Sequence, residues 1–542
     1  NGFTLGGNNN QFNASGEKYA SWTFRKAPGF FDVVTYTGTG SARTVSHDLG
    51  SLPGCIMVKR TDTSDDWVVY HRGLHNIYGG TAGQYYLYLN DSSPYMGGAS
   101  RFNDTAPTAT EFTVGTDGGT NASGGEYVAY IFAHDEQSFG EGGDQSIISC
   151  GTYTGNGNTD GPTITLGWEP QFVIIKRVNG SEGWVMFDTM RGLHAGGDDK
   201  ALFPNQDTVE QNRAAGNIWP LDAGFRMHGS TDAKVNGNND KYVFIAVRAL
   251  SGAVSTTPTL GTDAFAMDMG NGSNTVPAYD SGFPVDFMLE KKINGNANWY
   301  ASSRPSGDVF WYTNSNNADI DAGGDYLFDS NVGAIKGTWT NGHQAWMWRR
   351  GTGFDVVNYI GNGSDRYISH GLGVAPQMMW FKKRNSSKNW YVYHIGINGG
   401  VNPENYSLRL NTNAAQDVDG NTLWNQTAPT DTQIRINTDS GVNASGDTYI
   451  AFLFASVDGI SKVGYYTGTG AAGNTQTTGF TPRFIIVKCV SDSVDWGVFD
   501  TLRGLGSSGN DERLYLNTTA AQVGGYDYLT TSATGFTPAF VG

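Results

Sequence analysis

The chain has 542 residues, too many for a single ordinary core, and its length predicts about three to five domains. Aromatic residues make up 13% and charged residues 16% of the sequence, which is too aromatic for a disordered chain and typical of β-rich proteins with Asn, Gly and Asp turns. The formal net charge of −16 gives no basic surface for nucleic acid, and no apolar run reaches the ~20 residues that a membrane helix needs. We therefore expect a protein that neither binds nucleic acid nor inserts into a membrane.

The chain opens with a partial repeat, residues 1–27, whose text GFTLGGNNNQFNASGEKYASWTF (2–24) matches the closing third of the units that follow. It starts without a methionine or a signal peptide, which indicates a processed chain or a piece of something longer. The last residues, TGFTPAFVG (534–542), stop where the closing third of a unit would begin. Two interpretations stay open: a window cut from a longer array, or a ring in which the first strands complete the last unit.

A string of the form Y-x-G-x-G starts each repeat, at 36–40, 153–157, 359–363 and 466–470. A proline follows 16 or 17 residues after the tyrosine, a lysine six residues after the proline, and a tryptophan fourteen residues after the proline. These marks are Lys59, Lys176, Lys382 and Lys488, and Trp67, Trp184, Trp390 and Trp496. A further mark ends in asparagine and is found as LYLN (87–90), LFPN (202–205), LRLN (408–411) and LYLN (514–517). Several marks at near-constant offsets predict tandem domains.

The Gly-rich string follows a predicted strand, but neither a helix nor a Lys-Ser/Thr pair comes after it, so it does not predict a phosphate-binding loop. We expect its glycines to supply positive φ in a tight turn. The four repeated tryptophans are predicted to be core residues, and their replacement by alanine to cost roughly 3–5 kcal/mol. If they were exposed along one face, they would instead be platforms for stacking.

We divide the chain into a partial repeat at 1–27, repeats at 28–140 and 141–255, a divergent repeat at 256–351, a repeat at 352–458, and a partial repeat without closing strands at 459–542. The divergent repeat starts at DMGNG (268–272) and contains Trp299, but is expected to lack the lysine and L-x-L-N marks. Short apolar runs between turn residues predict an all-β fold: a tandem array of antiparallel β-sandwiches of about 105 residues, jelly-roll or lectin-like, with a barrel as the alternative. The four-residue junctions KAPG (26–29) and RGTG (350–353) predict a fixed, elongated array.

No position carries one catalytic residue type through all repeats. The position four residues after the tryptophan holds His71, Asp188, Ser303, His394 and Asp500. Histidine, aspartate and serine cannot share one acid–base role, so this position is interpreted as a polar site that tolerates substitution. His47 and His370 match each other, but the other repeats have no counterpart, so neither histidine is predicted to be catalytic.

Two DT-x-RGL strings, at 188–193 and 500–505, place an arginine three residues after an aspartate. We expect a local salt bridge that fixes the loop; contact of Arg191 or Arg503 with an anion or a sugar is the alternative. Paired acidic residues occur only in single repeats and give no glycosidase pair: Asp65–Asp66 and Asp198–Asp199. The three cysteines are predicted to be free buried thiols: Cys55, Cys150 and Cys489. We therefore predict no catalytic residue, no metal site and no cofactor, and the binding residues stay unassigned.

The text APGFFDVVTYTGTG (27–40), followed by WVVYH (67–71), FNDTAPT (102–108) and YVAYIFA (127–133), resembles the repeated domains of virion structural proteins of tailed bacteriophages, most closely the marine phage type. The resemblance covers nearly the whole chain and is weakest over 259–350. It implies tandem sandwiches similar to concanavalin-like lectins on the surface of a virion, and it supplies no catalytic residues.

Together these observations predict a non-enzymatic virion surface protein, a tail fibre or other appendage, that is a structural array and a host-surface glycan adhesin. The alternatives are a purely structural fibre or capsid-decorating protein without a ligand and, less favoured, a surface-polysaccharide depolymerase with its site in the divergent repeat or between chains. The expected partners are other virion proteins, further copies of the chain and host carbohydrate, and the expected location is the virion surface outside the cell.

Overall fold

The structure is a computed structural model that describes residues 3–7, 11–196, 199–213, 217–229 and 231–539. Strands hold 37% of the residues and helices 6%, so the prediction of an all-β fold is confirmed. The strands pair in antiparallel ladders and fall into five groups along the chain. We call these groups unit one (28–140), unit two (141–255), unit three (256–351), unit four (352–458) and unit five (459–539).

Unit one contains β1 (Phe31–Thr37), β2 (Arg43–Ser46), β3 (Pro53–Arg60), β4 (Trp67–His71), α1 (Arg72–Tyr78), β5 (Tyr85–Tyr88), β6 (Met96–Gly97), α2 (Ala99–Phe102), β7 (Glu111–Val114), α3 (Gly118–Asn121) and β8 (Glu126–Ala133). Its large sheet has the order β1-β8-β3-β4-β5-β6, and β2 pairs with β7. The last strand, β8, therefore lies inside the sheet, between the first strand and the third.

Unit two contains β9 (Ile148–Thr154), β10 (Asp160–Thr165), β11 (Pro170–Arg177), β12 (Trp184–Asp188), β13 (Asp199–Ala201), β14 (Gln211–Arg213), β15 (Asn217–Leu221), β16 (Gly224–His228) and β17 (Lys241–Arg248). Its sheets have the orders β12-β11-β17-β9, β10-β16-β15 and β13-β14. The last strand, β17, again separates the first strand from β11.

Unit three contains β18 (Phe265–Met269), β19 (Tyr279–Asp280), β20 (Phe287–Lys292), β21 (Trp299–Ser303), β22 (Val309–Tyr312), β23 (Ile320–Asp321), β24 (Gly333–Ala334) and β25 (His343–Trp348), with 3-10 helices at Gly261–Asp263, Arg304–Ser306 and Thr338–Thr340. Its sheets are β18-β25-β20-β21-β22-β23 and β19-β24. The divergent unit therefore has the same strand order as unit one.

Unit four contains β26 (Phe354–Ile360), β27 (Arg366–Ser369), β28 (Met378–Lys383), β29 (Tyr391–His394), β30 (Tyr406–Arg409), β31 (Asp417–Val418), β32 (Gln433–Ile436) and β33 (Thr448–Phe454), with 3-10 helices at Ile397–Gly400 and Pro403–Asn405. Unit five contains β34 (Gln476–Thr477), β35 (Phe484–Val487), β36 (Gly497–Asp500), a 3-10 helix at Thr501–Arg503, β37 (Asp511–Tyr515), β38 (Val523–Tyr526), β39 (Leu529–Ser532) and β40 (Gly535–Pro538). The sheets are β26-β33-β28-β29-β30-β31 and β27-β32 in unit four, and β35-β36-β37-β38 and β34-β40-β39 in unit five.

The Y-x-G-x-G string holds the closing turn of its own unit. In unit one a Cβ on Gly38 would lie 2.1 Å from the carbonyl oxygen of Ala122, so only glycine fits there. The second glycine, Gly40, has a φ of 75°, which is the role that we predicted for both. Between them, the N–H of Thr39 donates to Asn121 Oδ1 over 2.8 Å. The string is therefore a structural turn, and its first glycine is required by close approach rather than by φ.

The large sheets are buried on both faces, which explains their nearly continuous apolar strands. In β33, Ile450 and Phe452 belong to a core shared by units three, four and five, whereas Ala451 and Leu453 belong to a core inside unit four. Successive residues of a strand point to opposite faces, so one strand serves both cores. The shared core contains residues of all three units, and the expected elongated array is therefore wrong for this part of the chain.

Candidate functional site: the contacts between units

The repeated tryptophans join neighbouring units. The indole N–H of Trp390 in unit four donates to the carbonyl oxygen of Tyr312 in unit three over 3.1 Å, and that of Trp299 in unit three donates to Tyr515 in unit five over 2.8 Å. Trp496 in unit five closes the cycle by donating to Arg409 in unit four over 3.2 Å. Units three, four and five thus form a closed ring, in which each unit donates to the next.

The acceptors of these bonds are the L-x-L-N marks. The residue at the second position of the mark accepts the neighbour's indole N–H, as Arg409 does in LRLN (408–411). The asparagine of the mark acts within its own unit, where Asn411 Oδ1 accepts from the backbone N–H of Trp390 over 3.0 Å. Unit three has WYTN (311–314) at this place, and Asn314 accepts in the same way from Trp299 over 2.9 Å. The divergent unit therefore lacks the L-x-L-N text, as predicted, but keeps its asparagine in the same role.

The repeated lysines of the ring, like the tryptophans, contact the neighbouring unit. Lys382 Nζ donates to Lys388 O of its own loop over 2.8 Å and to Asn316 O of unit three over 3.2 Å. Burial lowers the pKa of Lys382 to about 7, while carbonyl oxygens around Nζ favour its charged form. Unit three has Lys291 here, eight residues before Trp299, and its Nζ donates to Thr519 O of unit five over 3.3 Å. The expected absence of this lysine was wrong because one extra residue follows Pro284 and moves it along the chain.

In units one and two, one of the two repeated tryptophans donates its indole N–H to a neighbouring unit and the other does not. Trp184 in unit two is buried and donates to Tyr88 O of unit one over 2.8 Å. Trp67 in unit one is only half-buried, and its indole N–H has no hydrogen-bond partner in the described part of the chain. The prediction of buried tryptophans is confirmed for Trp184, Trp390 and Trp496 and wrong for Trp67. The buried ones lie between units rather than inside a single sandwich.

Both DT-x-RGL strings form the predicted local salt bridge. Arg191 Nε lies 2.6 Å from Asp188 Oδ2, and Arg503 Nη2 lies 2.7 Å from Asp500 Oδ2. In unit five the same carboxylate oxygen accepts the indole N–H of Trp346 from unit three over 3.0 Å, and the Arg503 guanidinium lies 5.6 Å from that indole ring. Unlike the predicted alternative, the group that contacts this arginine is a tryptophan of the chain itself.

The segment before unit one makes the same contact with unit two. The indole N–H of Trp22 donates to Asp188 Oδ2 over 3.0 Å, and the Arg191 guanidinium lies 5.3 Å from its ring. Trp22 stands in the closing-strand text at the position that Trp346 has in β25, three residues after Tyr19 as Trp346 is after His343. The segment therefore sits against unit two as the last strand of unit three sits against unit five.

The candidate histidines are buried and contact backbone groups. His71 is buried between units one and two, where Nδ1 accepts from the N–H of Gly73 over 3.0 Å and Nε2 lies 3.0 Å from Phe244 O. This pattern requires a neutral ring with its proton on Nε2, and burial lowers the pKa of His71 to about 3. His47 and His370 are buried too, and in each Nδ1 accepts from the N–H two residues on.

A buried ion network joins unit two to units three and four. Arg350 donates to both carboxylate oxygens of Glu169, over 3.0 and 2.7 Å, and its Nε donates to Asp355 over 2.9 Å. Burial acts against the charge of Arg350, but Glu169 and Asp355 raise its pKa. Bidentate pairing to an arginine keeps a buried carboxylate in a fixed geometry. The junction of unit two with the ring is therefore specified by charge.

A second polar cluster lies inside the divergent unit. Glu290 is fully buried, its Oε1 lies 2.6 Å from His343 Nδ1, and its Oε2 accepts from the hydroxyl of Tyr326 over 3.1 Å. Burial raises the pKa of the Glu290 carboxyl, against the effect of His343. A depolymerase site would need two carboxyl groups across an open cleft, whereas this carboxylate is enclosed by its partners.

An open cleft lies between units one and two. It has a volume of about 740 Å³ and is lined by Asn90, Pro204, Asn205, Gln206, Asp207 and Thr208. Its amide, carboxyl and hydroxyl groups are suited to a ligand rich in hydroxyl groups. Asn205 Oδ1 is already engaged by the backbone N–H of Trp184 over 3.0 Å, whereas residues 206–208 are exposed.

Several remaining expectations concern single residues. Cys55 and Cys150 are buried as predicted, whereas Cys489 is exposed, which the prediction had wrong. Asp198 lies outside the described residues, and Asp199 is buried. Within the described ranges no group of three or more His, Cys, Asp or Glu side chains is placed to hold a metal ion, and no helix is long and apolar enough to cross a membrane.

Comparison with known families gives one match. Residues 1–249 and 347–539 match the family model described as Domain of unknown function (DUF7483). The unmatched part in between is nearly all of unit three, the unit whose sequence diverges. No curated protein matches the sequence.

Proposed function

The chain belongs to the DUF7483 family of domains of unknown function, and we propose that it is a non-enzymatic structural protein of a phage virion surface, a tail fibre or another appendage. Other virion proteins and further copies of the chain would be its partners, outside the cell. The observation that carries the proposal is the closed ring of tryptophan contacts among units three, four and five. The repeated marks of the sequence fix one unit against the next, and a component of a particle surface needs such a fixed arrangement to keep its shape under mechanical stress.

The contacts of the polar side chains support a non-enzymatic role. Asp500 and Arg503 bind each other and Trp346, and His71 is held neutral between two backbone groups. A general acid or base needs a substrate proton within hydrogen-bond reach, and these groups are enclosed by protein. The contacts within the protein are sufficient to explain why these polar residues are there, and no catalytic role is needed.

A host-glycan adhesin is the form of this function that the cleft between units one and two favours. Gln206, Asp207 and Thr208 present polar groups that can exchange hydrogen bonds with sugar hydroxyls. The cleft is shallow and offers no buried aromatic ring, so we expect weak binding by each copy, strengthened by several copies on one particle.

Two measurements test the proposal. Antibodies raised against the purified chain should decorate the surface of virions of a phage that encodes it; an absence of label on intact particles, with label on disrupted capsids, would place the protein elsewhere. Co-sedimentation with bacterial surface polysaccharides should show binding to a subset of them without release of oligosaccharide. Release of reducing ends would refute the non-enzymatic assignment.

The adhesive part has its own control. The double variant Gln206→Ala and Asp207→Ala removes two cleft side chains and should abolish retention on the polysaccharide, while antibody labelling stays unchanged. An exposed pair on unit four, Asp431→Ala and Thr432→Ala, serves as the matched variant and should bind normally. Unchanged binding by the cleft variant would leave a purely structural appendage.

A further inference from the structure

We propose that the joint between unit two and unit four binds one water molecule as a fixed structural ligand. This inference concerns an interface inside the chain and does not depend on where the protein acts. A cavity of about 30 Å³ lies where units two, three and four meet. A water molecule needs roughly 10–15 Å³ of such space, so the cavity is large enough to hold it.

The wall of this cavity is polar and comes from both sides of the joint. Unit two contributes Trp168, Asp222 and Ser251, and unit four contributes Asp355 and Gly371. Polar cavities of this size hold ordered water that makes two to four hydrogen bonds, whereas apolar cavities stay dry. The composition of the wall therefore favours a hydrated joint.

Two polar groups of the wall have no hydrogen-bond partner among the described residues. They are the hydroxyl of Ser251 and the indole N–H of Trp168. Both side chains are deeply buried, with exposed fractions of 4% and 5%. Burying a polar group without a partner is costly, so proteins pair such groups with other protein groups or with ordered water. The two groups therefore indicate a partner that the chain itself does not supply.

A glycine of unit four leaves room beside the serine hydroxyl. The N–H of Gly371 donates to Asp355 Oδ2 over 2.8 Å, and its carbonyl oxygen accepts from the N–H of Ala253 in unit two over 2.8 Å. The position that a Cβ on Gly371 would take is 2.8 Å from Ser251 Oγ and 3.5 Å from Asp355 Oδ2. The hydroxyl of unit two and the carboxylate of unit four thus meet at one point of the wall, where a small molecule can contact both.

The mixture of donors and acceptors favours water over an ion. The indole N–H of Trp168 can only donate, so it disfavours a cation such as Na⁺. The carboxylates of Asp222, Glu169 and Asp355 line the cavity and disfavour an anion such as chloride. Arg350 lines it as well, but its guanidinium is already paired with Glu169 and Asp355. A water molecule can accept from the indole and donate to a carboxylate at the same time.

A crystal structure of the whole chain at a resolution that shows ordered water tests the proposal directly. We expect one density peak in the cavity, within about 3.2 Å of both Ser251 Oγ and Trp168 Nε1. Crystals soaked in rubidium bromide identify a bound cation or anion through the anomalous scattering of either ion. A cavity without density, or an anomalous peak inside it, would overturn the proposal.

The direction of one stability change gives an independent test in solution. If water pairs the hydroxyl, Ser251→Ala removes a bonded group and should lower the thermal unfolding midpoint of unit two in the whole chain by about 2–4 °C. If the hydroxyl has no partner, the same substitution removes a desolvated group and should raise the midpoint. Ser64→Ala, at an exposed serine of unit one, is the matched control and should leave the midpoint unchanged. A raised or unchanged midpoint in Ser251→Ala would refute the bound water.

Discussion

Trp390 in unit four and Trp67 in unit one occupy the same position of the repeat, but in the described residues only the indole of Trp390 donates to a neighbouring unit. Replacing each by alanine therefore measures how much the contact between units adds to the stability of the chain. Trp390 is fully buried, and its indole N–H donates to Tyr312 over 3.1 Å. Removing a buried tryptophan costs about 3–5 kcal/mol, and the carbonyl that loses its donor adds about 1 kcal/mol. Trp67 is half-buried without an indole partner in the described residues, so Trp67→Ala should cost about half as much or less.

Differential scanning calorimetry measures the difference. For a cooperative unit the size of the ring, each kcal/mol shifts the midpoint by about 2–4 °C, so Trp390→Ala should lower the midpoint of the ring transition by about 8–24 °C. We expect units three, four and five to melt together, because they share one core. Equal shifts for the two variants, or separate melting of unit four in the wild-type chain, would refute the reasoning.

Three further predictions follow from the buried polar groups. Asp500→Asn leaves the buried Arg503 without its counter-charge and should cost about 3–5 kcal/mol in thermal unfolding. His71→Gln should flatten the pH dependence of stability: the pKa of His71 is lowered in the folded state, so its contribution is complete above the unfolded pKa and is lost as the pH falls from about 6.5 toward 3. Glu169→Gln should loosen the junction of unit two with the ring, seen by small-angle scattering as a larger radius of gyration, because Arg350 loses its bidentate partner.

Each of these has a control and a contradicting result. Asp62→Asn removes an exposed ion pair with Arg60 and should leave the midpoint unchanged; a shift as large as that of Asp500→Asn would show that charge alone is responsible. For the histidine prediction, the control is Asn76→Ala, an exposed residue of the same helix α1, which should keep the wild-type pH profile; an unchanged profile in His71→Gln would contradict the prediction. If Glu169→Gln scatters like the wild type at high and low salt, the ion network does not hold the junction.

Much of the fold could be predicted from sequence. Strands such as β8 and β33 are short apolar runs between turn residues, and the Asn and Tyr of each closing turn stand at a fixed spacing. In unit one this spacing lets the N–H of Ala122 donate to the Tyr127 hydroxyl over 2.7 Å. These contacts join residues that are close in the chain, so the spacing of the residues can be recognised in the amino-acid sequence.

The role of the repeated marks could not be predicted in the same way. The tryptophan, lysine and L-x-L-N marks were recognised, but only the tryptophans were given a role, that of core residues, and no mark was expected to join two units. One missed signal was available: the residue four after the tryptophan is histidine in units one and four and aspartate in units two and five. This alternation indicates that units one and two correspond to units four and five, whereas we interpreted it as tolerance of substitution.

The sequence by itself determined the all-β class, the repeat and the turn that starts each unit, because periodicity, glycine geometry and turn chemistry act over a few residues. Only the tertiary structure decided that three units close into a ring. The indole of Trp299 meets a carbonyl 216 positions away, and that of Trp390 meets one 78 positions away. These long-range contacts depend on how whole sheets pack around a shared core, and the local pattern of any one strand does not specify that packing.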